Sequence, residues 1–300
     1  MKHPISNLLD YCTSHDWAMR LSVMESMSGI IERHVKGQHL TEAEINAITA
    51  ETHAACPDHR RIRAVFSSNP SMAVIDISGV IAKHADMVND ISQPRGTSIE
   101  TLRDEFSKAM ADDKIESIFL NIESPGGSID GLADFASEIF EASFKKPIVA
   151  FADDLCASAA YWMASQANIV YASQTSDIGS IGVYTLYVDS TERAKTEGLK
   201  FHIFRSGIHK GVGSAGIEIT EENQEAIQER IDAKFEIFFD AIMRGRAEAG
   251  LTENELREIA DGRCFVGEAA LDNKLVDAIM TIPQALAAPL PAVRNKNEAA

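Results

Sequence analysis

An α/β fold carried on a parallel sheet is what this 300-residue chain predicts, on three grounds. Short, β-branched apolar runs recur at 72–80 (MAVIDISGV), 117–122 (SIFLNI) and 147–152 (PIVAFA), the pattern of strands buried on both faces. Between them, 97–111 and 129–144 have the length and apolar spacing of amphipathic helices. Strand and helix therefore alternate as the crossover units of a parallel sheet demand.

Ahead of that region, Leu8, Leu9, Tyr11, Leu21, Met24, Met27, Ile30 and Ile31 recur at helical spacing over 5–36, and Thr41 with Glu44 has the form of a capping box. Residues 1–65 thus predict a helical N-terminal extension, bounded by Pro57 and His59-Arg60-Arg61, before a main domain at 66–282. Further on, Thr220 opens a long helix reaching about Gly250, and Thr252 with Glu255 forms a second capping box. From Pro283 the Ala/Pro-rich stretch 283–300 has little periodicity and reads as a linker or frayed end.

Composition narrows the partners. With 28 basic against 45 acidic residues the net charge is −17, which disfavours a nucleic-acid or anionic-membrane surface. The N-terminus shows no secretory signal, and no apolar stretch reaches the roughly 18 to 20 residues that a membrane-spanning helix needs. Cys12, Cys56, Cys156 and Cys264 are far apart and form no C-x-x-C pair, so neither a disulfide framework nor a zinc ribbon is indicated. A soluble, cytoplasmic protein is expected.

Two strand ends carry candidate chemistry. SPGG (124–127) follows SIFLNI directly; two glycines there let the backbone turn sharply and aim N–H groups at an anion, although a plain Pro-Gly turn reads as well. DDLCASAAY (153–161) follows PIVAFA and leads into an apolar helix. Ser158 at that junction sits where the helix dipole and the N–H of Ala159 favour negative charge on a bound carbonyl; an N-cap serine is the simpler alternative. A serine nucleophile needs a base. His202 and His209 compete with Lys210, since a lysine desolvated in an apolar pocket can accept a proton, and Ser180 in DIGSIG (177–182) could hold its amine.

Taken in order, SPGG (124–127), DLCASAAY (154–161), SDIGSIGV (176–183), SGIHK (206–210) and DGRCFVGEAALDNKLVDAI (261–279) resemble the signal peptide peptidase A family of serine peptidases. The resemblance covers about 70–280 and implies a crotonase/Clp-like α/β spiral that assembles into homo-oligomeric rings. It places the nucleophile on Ser158 and the general base on Lys210, with Ser180 contacting the lysine and the N–H groups of Gly127 and Ala159 forming the oxyanion hole. It calls for no metal or cofactor. Ala159 and Ala160 stand where family members commonly carry two glycines, and the membrane anchor of the signal-peptide-degrading members is absent. An anchorless domain with an N-terminal extension is more similar to the family's bacteriophage prohead proteases, which cleave capsid scaffold proteins. Protein or peptide substrates follow, and for a phage protein a place in the host cytoplasm or the prohead interior.

Several motifs are set aside. GVGSAG (211–216) matches a dinucleotide fingerprint but opens no helix within a βαβ unit. His53, Cys56 and His59 have metal-like spacing broken by Pro57. Cys156 reads as a buried filler, and the acidic run 218–229 as a solvated helix face. Three other functions stay open: a crotonase-like acyl-CoA enzyme using Glu123, a Clp-like peptidase using His202 or His209, and a catalytically idle assembly or scaffold protein of the same fold.

Overall fold

The computed structural model describes residues 16–19, 70–84, 96–187, 189–214 and 216–295. In chain order these form β1 (Trp17–Met19), β2 (Met72–Ser78), β3 (Ile81–Ala82), β4 (Thr97–Ser98), α1 (Ile99–Ala111), β5 (Ser117–Ser124), β6 (Gly126–Ser128), α2 (Leu132–Ala142), β7 (Ile148–Ala157), α3 (Ala159–Ala164), β8 (Ile169–Ala172), β9 (Asp177–Gly179), α4 (Thr191–Thr196), α5 (Glu221–Gly245), α6 (Glu253–Ile259), β10 (Cys264–Val266), α7 (Glu268–Asp272), β11 (Ala278–Ile279) and α8 (Ile282–Ala287).

The expected parallel sheet is present. β2, β5 and β7 pair in parallel, with α1 and α2 as the intervening crossovers. Their apolar runs are continuous because both faces are covered. On one face Ile118, Leu120, Ile122, Ile148 and Ala150 enter the larger core beneath α1, α2, α3 and α5; on the other Phe119, Val149 and Phe151 pack with Tyr171 and Ala285. Trp162 of α3 stacks on Phe238 of α5 with ring centroids 4.4 Å apart, tying the short helix to the long one.

β7 changes neighbours along its length. Val149–Ala152 pair with β8, whereas Leu155–Ala157 pair with β9. The switch falls at Asp153-Asp154, where Asp154 has φ 65° and where Ile122↔Ala152 gives way to Ser124↔Cys156 on the β5 side. The surplus residues of β7 are a bulge, and it re-aims the strand end that carries Ser158.

A second sheet runs in the order β1-β6-β3-β4 and stands beside those strand ends. Here the structure corrects the sequence. Within the stretch expected to be helical, Trp17–Met19 is a strand, paired with Gly126–Ser128; these long-range bonds override local apolar spacing. The rest of the 1–65 extension, including Thr41 and Glu44, lies outside the described residues. The 283–295 part of the tail is likewise no loose linker: Pro283 sits in the first turn of α8, capped by Thr281 with Gln284. Arg294 is 6% exposed and donates to the carbonyls of Ala167 (2.7 Å) and Gly245 (2.9 Å). The capping expectations at Thr220 and Thr252 are met: Thr220 Oγ1 accepts from Asn223 N–H, and Thr252 with Glu255 closes a full capping box.

Candidate active site

Three parallel strands end side by side, and each hands over to a candidate residue. Ser124 of β5 is in register with Cys156 of β7, and Ala157 of β7 with Gly179 of β9. Adjacent strands lie about 4.8 Å apart, so SPGG, Ser158 and Ser180 emerge as neighbours at the carboxyl ends, where open α/β sheets form their binding crevices.

Ser158 is 1% exposed, with φ 58° and ψ −117°. An N-cap serine has extended dihedrals and accepts a bond from the helix amides; Ser158 has neither that backbone nor a capping bond. Its N–H donates to Gly179 O (2.7 Å) and its carbonyl accepts from Trp162 N–H (2.9 Å). A non-glycine residue held in such a sparsely populated region costs about 1–3 kcal/mol, tolerated because α3 behind it is wholly buried. A sharp, strained strand-to-helix turn is also the geometry that presents the serine nucleophile of α/β-hydrolases. Ser180 is also at positive φ (48°), with its N–H bonded to Arg263 O at 2.7 Å.

SPGG is more than a turn, because its glycines continue as β6. A Cβ on Gly127 would stand 1.8 Å from Ile81 O; one on Gly126 would stand 2.2 Å from Ala18 O, 2.9 Å from Ala157 O and 3.0 Å from Ala159 N. Both glycines are therefore dictated by close backbone approach. Gly126 abuts the amide of Ala159, so the loop and the serine turn meet. Ser124 Oγ fastens the loop by donating to Gly79 O (2.6 Å) and accepting from Gly126 N–H (3.2 Å).

The hydrogen bonds of Lys210 stay within its own loop. This lysine lies in the irregular segment between α4 and α5, exposed to solvent; its N–H donates to Gly207 O (3.1 Å) and its carbonyl accepts from Arg205 Nη1 (3.4 Å). His202 and His209 are exposed on the same segment, beside Phe204 at 95% and Ile208 at 58% exposure. The glycines of 211–216 form a loop against Ile203, Tyr187 and Phe201, and no helix opens until Glu221. Cys156 is buried, and burial, with Cys264 nearby, pushes its thiol far above the ordinary range; it cannot supply a thiolate. Glu123 is exposed while Ser124 beside it is buried. Among the described residues no cluster of His, Cys, Asp or Glu could hold a metal ion; His53, Cys56 and His59 lie outside them. What sequence reasoning missed is β1: Trp17, Ala18 and Met19 line the site through backbone pairing, for which a three-residue apolar run gives no periodic signal.

Residues 141–290, half of the chain, match the model of peptidase family S49. The chain belongs to peptidase family S49. The parallel sheet with its helical crossovers agrees with the α/β class that the motifs implied. This S49 chain is 26% identical over 216 residues to a protein of Enterococcus faecium named as a signal peptide peptidase SppA, covering 71% of this chain and 61% of that one. It is 26% identical over 251 residues to head-tail preconnector protein GP5 of Enterobacteria phage P21 (83% and 48% covered). Capsid assembly protease C of Escherichia phage lambda is 26% identical over 252 residues (84% and 56% covered). The chain thus spans about half to three-fifths of the length of these relatives. No helix of the described residues is long and apolar enough to cross a membrane.

Proposed function

We propose that the protein is a serine endopeptidase in which Ser158 attacks the peptide carbonyl and Lys210 is the general base. Neutral Lys210 takes the Ser158 Oγ proton as the C–O bond forms, and the N–H groups of Gly127 and Ala159 receive the oxyanion. The tetrahedral adduct then expels the amine, which takes the proton back, and water hydrolyses the acyl-enzyme. The Ser180 hydroxyl orients the lysine amine. Alanine-sized surroundings at Ala157, Ala159 and Ala160, all fully buried, suit small or apolar substrate side chains.

The observation that carries this reading is Ser158 itself: a strained serine without a capping role, at the sheet's carboxyl edge, against the SPGG loop. Lys210 has to move out of water to act. The apolar residues around it, Leu199, Phe201, Ile203, Phe204 and Ile208, are exposed, and a neighbouring protomer of a homo-oligomeric ring would cover them and desolvate the amine together. The names of the phage relatives favour capsid or scaffold proteins as substrates, and head maturation in the host cytoplasm or prohead as the setting. The exposure of Lys210 also favours one rival, a catalytically idle assembly protein of the same fold.

Fluorophosphonate labelling of the wild type, Lys210→Ala and His209→Ala separates these. Loss of the base should slow labelling by about 10²–10⁴-fold, with His209→Ala at the wild-type rate. Wild-type labelling by Lys210→Ala, or its loss in His209→Ala, contradicts the dyad; an assembled, folded wild type that never labels favours the idle protein.

A further inference from the structure

A peptide presented to Ser158 has to lie extended along β6, because backbone pairing to a sheet edge is how a protease holds a chain while tolerating varied side chains. That edge is already taken. β1 pairs with it antiparallel, Trp17 with Ser128, Ala18 with Gly127 and Met19 with Gly126. On its other side, Trp17 donates to Tyr184 O (2.8 Å) and accepts from Tyr184 N–H (2.9 Å), just beyond Ser180. β1 therefore fills a slot one strand wide between the SPGG strand and the strand end that carries Ser180.

Its register sets Ala18 opposite Gly127. Trp17 turns both backbone groups to Tyr184, so by the alternation of a strand Ala18 turns its own toward Gly127. Ala18 O and Ala159 N stand 2.2 and 3.0 Å from the one point where a Gly126 Cβ would lie. The carbonyl of Ala18 thus faces the glycine proposed as an oxyanion donor, on the nucleophile's side of the slot. Besides this backbone pairing and the burial of Trp17, Ala18 and Met19, the strand is anchored at its head, where Asp16, 4% exposed, is ion-paired with Arg230 (2.9 Å) and with Lys234 of α5.

We propose that Asp16–Met19 is a built-in pseudosubstrate, which occupies the peptide groove with Ala18 at the position of the residue to be cleaved, and that the Asp16 ion pairs are its latch. The proposal rests on Ser158 being the nucleophile. It names the substrate class as an extended segment with a small residue at the scissile carbonyl, and it requires β1 to withdraw before a protein substrate enters.

The test uses the full chain in a Ser158→Ala background, so that occupancy is read apart from chemistry. Binding of a fluorescent peptide of residues 17–21 (WAMRL), which leaves out the latch aspartate, is measured by anisotropy with the latch intact, with Asp16→Arg, with Arg230→Glu/Lys234→Glu, and with all three changes together. Either unlatched form should bind the peptide at least tenfold more tightly, and the combined charge swap should return binding toward the latched value. With Ser158 restored, both unlatched forms should label faster with fluorophosphonate. Unlatched proteins that keep the wild-type melting temperature yet bind no better overturn the proposal. So does a cooperative loss of fold in both, which would make β1 a permanent strand. Tighter peptide binding without any labelling would instead keep the groove and sink the nucleophile assignment.

Discussion

Ser158 and Ser180 both hold positive φ at the ends of neighbouring strands, and their backbones are fixed by Gly179 O and Arg263 O. Fixed backbones of this kind leave no slack for added atoms. Gly127→Ala would push a methyl into Ile81 O at 1.8 Å; we expect a loss of about 1–3 kcal/mol in urea unfolding, with labelling of Ser158 suppressed further than the stability loss accounts for. Cys156 should behave as packing. In the native protein a thiol reagent should reach Cys264, which is partly exposed, and leave Cys156 unmodified until the chain unfolds; rapid modification of native Cys156 would contradict its burial. Ser158 was legible in the sequence as a strand-to-helix serine, whereas its lack of a capping role shows only in its dihedrals and missing cap bond.

Elements that depend on local signals were read well. β2, β5 and β7 announced themselves as continuous apolar runs because both faces are buried, and α5 and α6 begin at the threonines that cap them. Elements that depend on distant partners were not. β1 is a strand only because Gly126–Ser128 and Tyr184 supply its bonds, and α8 looked like a linker because its burial against Phe119, Val149 and Phe151 is tertiary. The α6 cap carries a pH dependence. Lys274 first, then the N–H and hydroxyl of Thr252, hold the Glu255 carboxyl at about 2, below its ordinary 4.5. A depressed carboxylate stabilises the fold above its unfolded value, and that contribution is lost as pH falls from about 4.5 toward 2. Glu255→Gln should therefore cost stability at pH 6 and converge on the wild type near pH 2, as urea melts at the two pH values will show. Asp277 takes a bidentate bond from Arg246, whose side chain is 3% exposed. Asp277→Ala should cost about 3–5 kcal/mol by stranding that buried charge; a change below 1 kcal/mol in the same melts would show that water reaches Arg246.

Over the whole molecule, the site is assembled from regions far apart in sequence, while its proposed base waits on an exposed apolar segment. Phe204 is 95% exposed, so Phe204→Glu should leave the melting temperature of the single chain unchanged. If assembly covers this segment, the same substitution should shift the protein toward monomer in size-exclusion chromatography and depress labelling in parallel. Unchanged labelling would separate Lys210 from assembly. Arg294, stacked on Phe140 and bonded to Ala167 and Gly245, binds the C-terminal segment to both α2 and the end of α5. The order of five motifs made Lys210 legible as a candidate; that its segment is exposed on the single chain is something no local pattern encodes. Mass-spectrometric mapping of the fluorophosphonate adduct on the intact wild-type protein tests the central claim most directly. We predict a single adduct on the peptide containing Ser158, absent from Ser158→Ala; an adduct on any other residue, or labelling that persists in Ser158→Ala, would contradict it.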